Sequence, residues 1–168
     1  IWAAGWTNGG VRHRVAGSSL FERLRAMRND PPLKIFFLGG PPGAAEAAVA
    51  RLNAGTAGVR GVGFDEGGFG DVEAMSTAEL RAKINASGAD FLVVSVGAKK
   101  GQAWILRNQP QLQVPVISYL GAVVNFVAGT VSRAPQWVQR LNGEWFWRIL
   151  QERSLFSRYW NDGRRLLG

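Results

Sequence analysis

Lys34-Ile35-Phe36-Phe37-Leu38 runs directly into Gly39-Gly40-Pro41-Pro42-Gly43, and a helical pattern over residues 44–53 follows. The apolar run is continuous rather than alternating, as in a strand buried on both faces. The turn is glycine-rich. The helix behind it repeats Ala45, Val49 and Leu52 at helical spacing. This is the start of a strand–helix unit, and it sets the reading of the rest.

The same unit recurs. Further apolar runs read as strands at 59–64 (VRGVGF), 91–96 (FLVVSV) and 116–120 (VISYL). Helical patterns cover 77–86 and 102–108. The first of these opens on Ser76 with Glu79 three residues later, the signature of a capping box, and Gly88 follows its end. Strands alternating with helices predict a Rossmann-like α/β fold, a parallel sheet with helices on both faces. After Gly129 no strand pattern returns. Pro135 can open a helix, and Gly143 separates two helical patterns at 135–141 and 144–152. The expected organisation is an α/β body over 1–130 and a C-terminal helical, aromatic and basic appendage over 131–168.

Composition limits the function classes. Nearly half of the 168 residues are apolar, which excludes disorder. There is no cysteine, so neither a disulfide framework nor a thiolate metal site can form. The lone histidine, His13, cannot make a histidine-rich zinc site, and it lies between Arg12 and Arg14. The net charge of +8 points to a polyanionic partner: nucleic acid, anionic lipid or a phosphate-rich substrate. No apolar run approaches the roughly 20 residues that cross a bilayer.

Ligands of open α/β sheets bind beyond the carboxyl ends of the strands. Here those ends carry Gly39 and Gly40, then Gly67-Gly68-Phe69, then Gly97-Ala98-Lys99-Lys100-Gly101-Gln102, then Gly121 and Asn125. Glycine lets a backbone approach a ligand, and a helix N-terminus offers free N–H groups to phosphate. Together these ends suit a nucleotide diphosphate. The plain alternative for any one turn is that glycine only makes the tight connection. No turn fits G-x-G-x-x-G or a P-loop. Lys100, with Lys99, is placed to neutralise a departing diphosphate. Gln102 can hydrogen-bond a sugar or phosphate, and Trp104 reads as core packing. Asp65 and Glu66 are candidate bases by position, but neighbouring residues point in different directions. The residues alone therefore give a phosphate-binding α/β domain without an evident base.

Several stretches together resemble the WecG/TagA/CpsF family of bacterial glycosyltransferases. They are Arg14-Val-Ala-Gly-Ser-Ser-Leu20, Phe37-Leu-Gly-Gly40, Gly67-Gly-Phe69 and Gly97-Ala-Lys-Lys-Gly-Gln-Ala-Trp-Ile105. The tail adds Asn125-Phe126, Ala128-Gly129, Arg133-Ala-Pro135, Trp137, Glu144-Trp145, Arg148 and Arg158-Tyr159. The resemblance implies transfer of a sugar from a UDP-sugar to an undecaprenyl-diphosphate-linked sugar, with inversion. The expected setting is peripheral, on the inner face of the cell membrane, with no metal or other cofactor. Many members read P-K-Q-E-x-W where this chain has Lys99-Lys100-Gly101-Gln102-Ala103-Trp104, and many have Asp in place of Asn125. In this the chain is similar to the exopolysaccharide branch that includes a xanthan-type glucosyltransferase, which implies UDP-glucose.

The resemblance gives donor contacts to Gly39, Gly40, Gly67, Gly68, Phe69, Gly97, Lys100 and Asn125, and a supporting part in catalysis to Arg14 and Gln102. It gives the acceptor and an anionic membrane surface to Arg133, Trp137, Arg140, Trp145, Arg148, Arg158 and Tyr159. It implies a polyprenyl-diphosphate-linked saccharide as a partner, no nucleic acid, and leaves room for an oligomer. The family's proposed base is an aspartate shortly upstream of a W-A-A-like helix, which Ile1-Trp2-Ala3-Ala4 resembles. That aspartate is then expected before residue 1, and the chain alone is expected to be inactive. Two alternatives stand beside this reading. One is a basic nucleic-acid-binding module, suggested by arginines interleaved with aromatics. The other is a membrane-docking module without catalysis.

Overall fold

The structure, a computed structural model, describes residues 16–55, 58–67 and 70–131. The chain divides into two units between Thr130 and Val131, and the sheet lies in the first. Its elements run α1 (Gly17–Ala26), β1 (Leu33–Leu38), α2 (Ala44–Gly55), β2 (Val59–Asp65), α3 (Ala78–Ala86), β3 (Phe91–Val94), α4 (Ala98–Asn108), β4 (Val116–Tyr119) and α5 (Val123–Ala128).

The four strands form one parallel sheet in the order β2-β1-β3-β4. The apolar runs of the central strands β1 and β3 are continuous because both of their faces are covered. Along β1, Ile35 and Phe37 enter one core with Phe21, Ala45, Leu52 and Val123. Phe36 and Leu38 enter the other with Ile84, Leu92 and Trp104. Helices α1, α2 and α5 thus supply one layer, and α3 and α4 the other. Each large apolar side chain fully buried in these cores contributes about 1.5–3 kcal/mol of transfer free energy. That makes β1, whose last four residues are all buried, the axis of the body.

The pairing brings the carboxyl ends level. Leu38 pairs with Asp65 on one side and with Val94 on the other, and Val94 pairs with Tyr119. From β1 the chain goes to one side for β2 and then crosses to the other for β3. The strand order therefore reverses between β1 and β3, where open α/β sheets form a ligand crevice.

Three sequence expectations change. The helix expected from Gln102 begins at Ala98, so Lys99 and Lys100 lie in its first turn. Gly101 is buried inside that helix, where a Cβ would come within 2.7 Å of the Tyr119 ring. The cap of α3 is Thr77 and not Ser76: the Thr77 hydroxyl accepts from Leu80 N–H at 3.1 Å. The Ser76 hydroxyl instead donates to Val72 O and accepts from the Asn108 amide. Strand β3 ends at Val94, two residues short of the expected bound. Helices α1 and α5 carry no clear signal in the sequence pattern. The helical patterns at 135–141 and 144–152 lie outside the described residues.

Candidate functional site

Four helices begin at the carboxyl edge of the sheet, and the three longer ones, α2, α3 and α4, do so in different ways. At α2, the Glu66 carboxylate accepts the Gly43 N–H at 2.6 Å, and Ala44 N–H donates to Pro41 O. An acidic side chain from the β2 turn thus occupies the place an anion would take. At α3, Thr77 caps the first turn and Glu79 lies within it. The Glu79 carboxyl is held below its ordinary range by a hydrogen bond from its own backbone N–H and then by the Thr77 hydroxyl. At α4, the N-cap is Gly97 with φ +91°. No side chain caps it, no acidic residue lies in the first turn, and Lys99 and Lys100 do.

The glycines differ in the same way. A Cβ at Gly39 would lie 2.2 Å from Val96 Cγ1 and 3.1 Å from the Ser95 carbonyl carbon. A Cβ at Gly40 would lie 2.9 Å from Val124 Cγ1. These two glycines let the β1 turn press against the β3 and β4 turns. A Cβ at Gly97 would meet nothing within 4 Å. Gly97 faces open space, at the end of a helix whose first N–H groups have positive electrostatic character.

The carboxylates at the end of β2 are engaged. Asp65 accepts from Lys83 Nζ at 2.7 Å through Oδ2 and from Gly67 N–H at 2.9 Å through Oδ1. Glu66 holds Gly43 as described. Neither is presented free for proton transfer. Asp90 accepts from Lys34 N–H at the amino end of the sheet. Among the described residues no group of three or more His, Asp or Glu side chains could hold a metal ion. Also among them, no helix is long and apolar enough to cross a membrane.

Of the expected site residues, Gly39, Gly40, Gly67, Gly97, Lys100, Gln102 and Asn125 are described. Gln102 is exposed on α4, Lys100 is half-buried and Asn125 is buried. Trp104 is fully buried as expected, and its indole N–H donates to Met75 O at 2.9 Å, tying α4 to the loop after β2. Arg14, Gly68, Phe69 and the tail residues Arg133, Trp137, Arg140, Trp145, Arg148, Arg158 and Tyr159 lie outside the described residues. One residue that sequence reasoning passed over is Ser95. Its hydroxyl is shut from solvent beside Gly39 with no protein partner, and a serine inside an apolar run gave no signal.

The model of the glycosyl transferase WecG/TagA/CpsF family matches residues 1–167. The chain belongs to that family. This agrees with the resemblance carried by the Arg14–Leu20, Gly97–Ile105 and tail motifs. A curated relative is an N-acetylglucosaminyldiphosphoundecaprenol N-acetyl-beta-D-mannosaminyltransferase of Bacillus subtilis (strain 168). It is 26% identical over 144 residues, which are 86% of this chain and 54% of the relative. The chain spans about half the length of this WecG/TagA/CpsF relative.

Proposed function

We propose that the carboxyl edge of the sheet binds a UDP-sugar, with UDP-glucose as the donor. The protein then moves that sugar, with inversion, to an undecaprenyl-diphosphate-linked sugar in exopolysaccharide synthesis. It works peripherally at the inner membrane face and without a metal. Family membership supports the reaction class, and the relative's name describes a sugar transfer to a diphosphoundecaprenol-linked sugar.

The observation that carries the reading is the N-terminus of α4. It is uncapped, faces open space at Gly97, has lysines in its first turn, and stands on β3 beside the switch point. As UDP departs, negative charge builds on its β-phosphate. Preorganised N–H donors and Lys100 would stabilise that charge more than the ground state, which is what lowers a barrier. Asp65 and Glu66 hold turns together, so neither is assigned as the base. The tail arginines Arg133, Arg140, Arg148 and Arg158 are proposed to grip the acceptor diphosphate through their forked donors.

Titration calorimetry with UDP and with NAD tests the reading. UDP should bind, and Lys100→Gln should weaken it about tenfold, or ~1.4 kcal/mol, with a reduced dependence on salt. Binding of NAD without UDP would overturn it.

A further inference from the structure

Two buried polar atoms flank the β1 turn, and neither has a protein partner. One is Ser95 Oγ, at the end of β3. The other is Asn125 Oδ1, in the first turn of α5, on a residue 7% exposed. The segments that carry them lie against the glycines of that turn. The Ser95 carbonyl carbon lies 3.1 Å from where a Gly39 Cβ would be, and the side chain of Val124, next to Asn125, lies 2.9 Å from where a Gly40 Cβ would be. The backbone N–H groups of both residues are satisfied, and so is the Asn125 carbonyl. Ser95 N–H donates to Leu38 O, Asn125 N–H donates to Ala122 O, and Asn125 O accepts from Thr130. The two side-chain oxygens are the buried atoms left over, and an unmet buried polar group costs folding free energy.

We infer that Ser95, with Asn125, is a specificity-determining residue that hydrogen-bonds an uncharged N–H or O–H group of the donor. The inference rests on the reading of this edge as a UDP-sugar site. The chemistry of the two oxygens narrows the ligand group. A hydroxyl both donates and accepts, whereas the Asn125 carbonyl oxygen only accepts. A phosphate oxygen at neutral pH also only accepts, so even where the Asn125 amide N–H donates to it, Oδ1 is left unmet. The pair therefore suits a group that donates: a sugar or ribose hydroxyl, or the imide N–H of uracil. The diphosphate belongs a short way along the same edge, on the uncapped N-terminus of α4. The site is thus divided into a neutral half at the switch point and a cationic half at Gly97.

The test is calorimetric titration of the 168-residue chain and of its Ser95→Ala and Asn125→Leu variants with uridine, UDP and UDP-glucose. Thermal unfolding of each unliganded protein accompanies it. Ser95→Ala is expected to weaken at least one ligand tenfold or more. Its unliganded melting temperature should stay level or rise, because an unmet buried hydroxyl is gone. Loss with uridine and UDP places the contact on the nucleoside, and loss confined to UDP-glucose places it on the sugar. Either result supports the inference. Unchanged affinity for all three ligands in Ser95→Ala overturns it, and so does a lower melting temperature with unchanged affinities, which would make the hydroxyl a structural group. In both of those cases the wild type still binds UDP and the donor reading survives. A wild type that binds neither UDP nor UDP-glucose removes the donor reading and the inference together.

Discussion

The β1 turn and the β3 turn are both glycine-containing turns, each leading from an apolar strand into a helix at the same edge of the sheet. In the structure they do opposite work. The β1 turn is filled at Gly39 and Gly40 by Val96 and Val124, and at Gly43, where a Cβ would meet nothing within 4 Å, Glu66 takes the N–H at the mouth of α2. The β3 turn is open: Gly97 has no neighbour within 4 Å where a side chain would be, and α4 has no cap. Gly39 and Gly40 serve packing in the first, and Gly97 leaves the helix end open in the second. The unfilled turn is the one proposed to take a ligand's charge.

The largest expected effect separates these roles directly. Gly39→Ala puts a Cβ 2.2 Å from Val96 and 3.1 Å from the Ser95 backbone, at φ +86°. Left-handed backbone strain of about 1–2 kcal/mol is then joined by about 1–3 kcal/mol of overpacking. Gly97→Ala carries the strain alone, since nothing lies within 4 Å. Thermal or urea unfolding should therefore show Gly39→Ala as the more damaging by at least ~1 kcal/mol. Calorimetry should show the reverse order for UDP affinity per unit of stability lost. Equal destabilisation by the two substitutions would break the comparison.

How much of this was readable beforehand follows the range of the interactions. The central strands were legible because burial on both faces leaves a continuous apolar run, as at Ile35–Leu38 and Phe91–Val94, and the edge strands β2 and β4 were legible from their β-branched and aromatic content although only partly buried. Helix α2 was legible because its spacing is local. The start of α4 was not, since Gly101 reads as a helix breaker. It is tolerated because the Tyr119 ring from β4 lies against it. The choice of Thr77 over Ser76 as cap was likewise hidden: both residue types cap well, and Asn108, far along the chain, engages Ser76. Which glycine turn is open depends on Val96, Val124 and Glu66. No local pattern around residues 39–43 or 97–101 encodes those neighbours.

A smaller effect sharpens the comparison at α2. Glu66→Gln removes the charge opposite the Gly43 N–H but keeps an oxygen that can accept it. A carboxylate at a helix N-terminus contributes about 0.3–1 kcal/mol at low ionic strength. A loss of that size in urea unfolding is expected, shrinking with added salt. If the α2 end is closed by Glu66, UDP affinity should be unaffected by the substitution or rise slightly as the anion's competitor weakens. A marked fall in UDP affinity would place the diphosphate near Glu66 and move the site from the β3 turn to the β1 turn.

The smallest effect concerns α3, the third N-terminus on the edge, which caps itself with Thr77 and Glu79. The folded Glu79 carboxyl sits below its ordinary value of 4.5 because its own backbone N–H and then the Thr77 hydroxyl favour the charged form. A group whose folded pKa is depressed contributes stability above its unfolded pKa and loses it as pH falls through the folded pKa. Its contribution should thus be complete at neutral pH and vanish in acid below 4.5. Glu79→Gln is expected to lower the melting temperature slightly at pH 7, with the gap to wild type closing as the pH drops. The side chain is fully exposed, so solvent and salt should screen most of the effect. A gap that persists unchanged in acid would mean that side-chain shape, rather than charge on the helix end, closes α3. In that case the absence of acidic residues from the first turn of α4 would no longer distinguish its electrostatics from those of its neighbour.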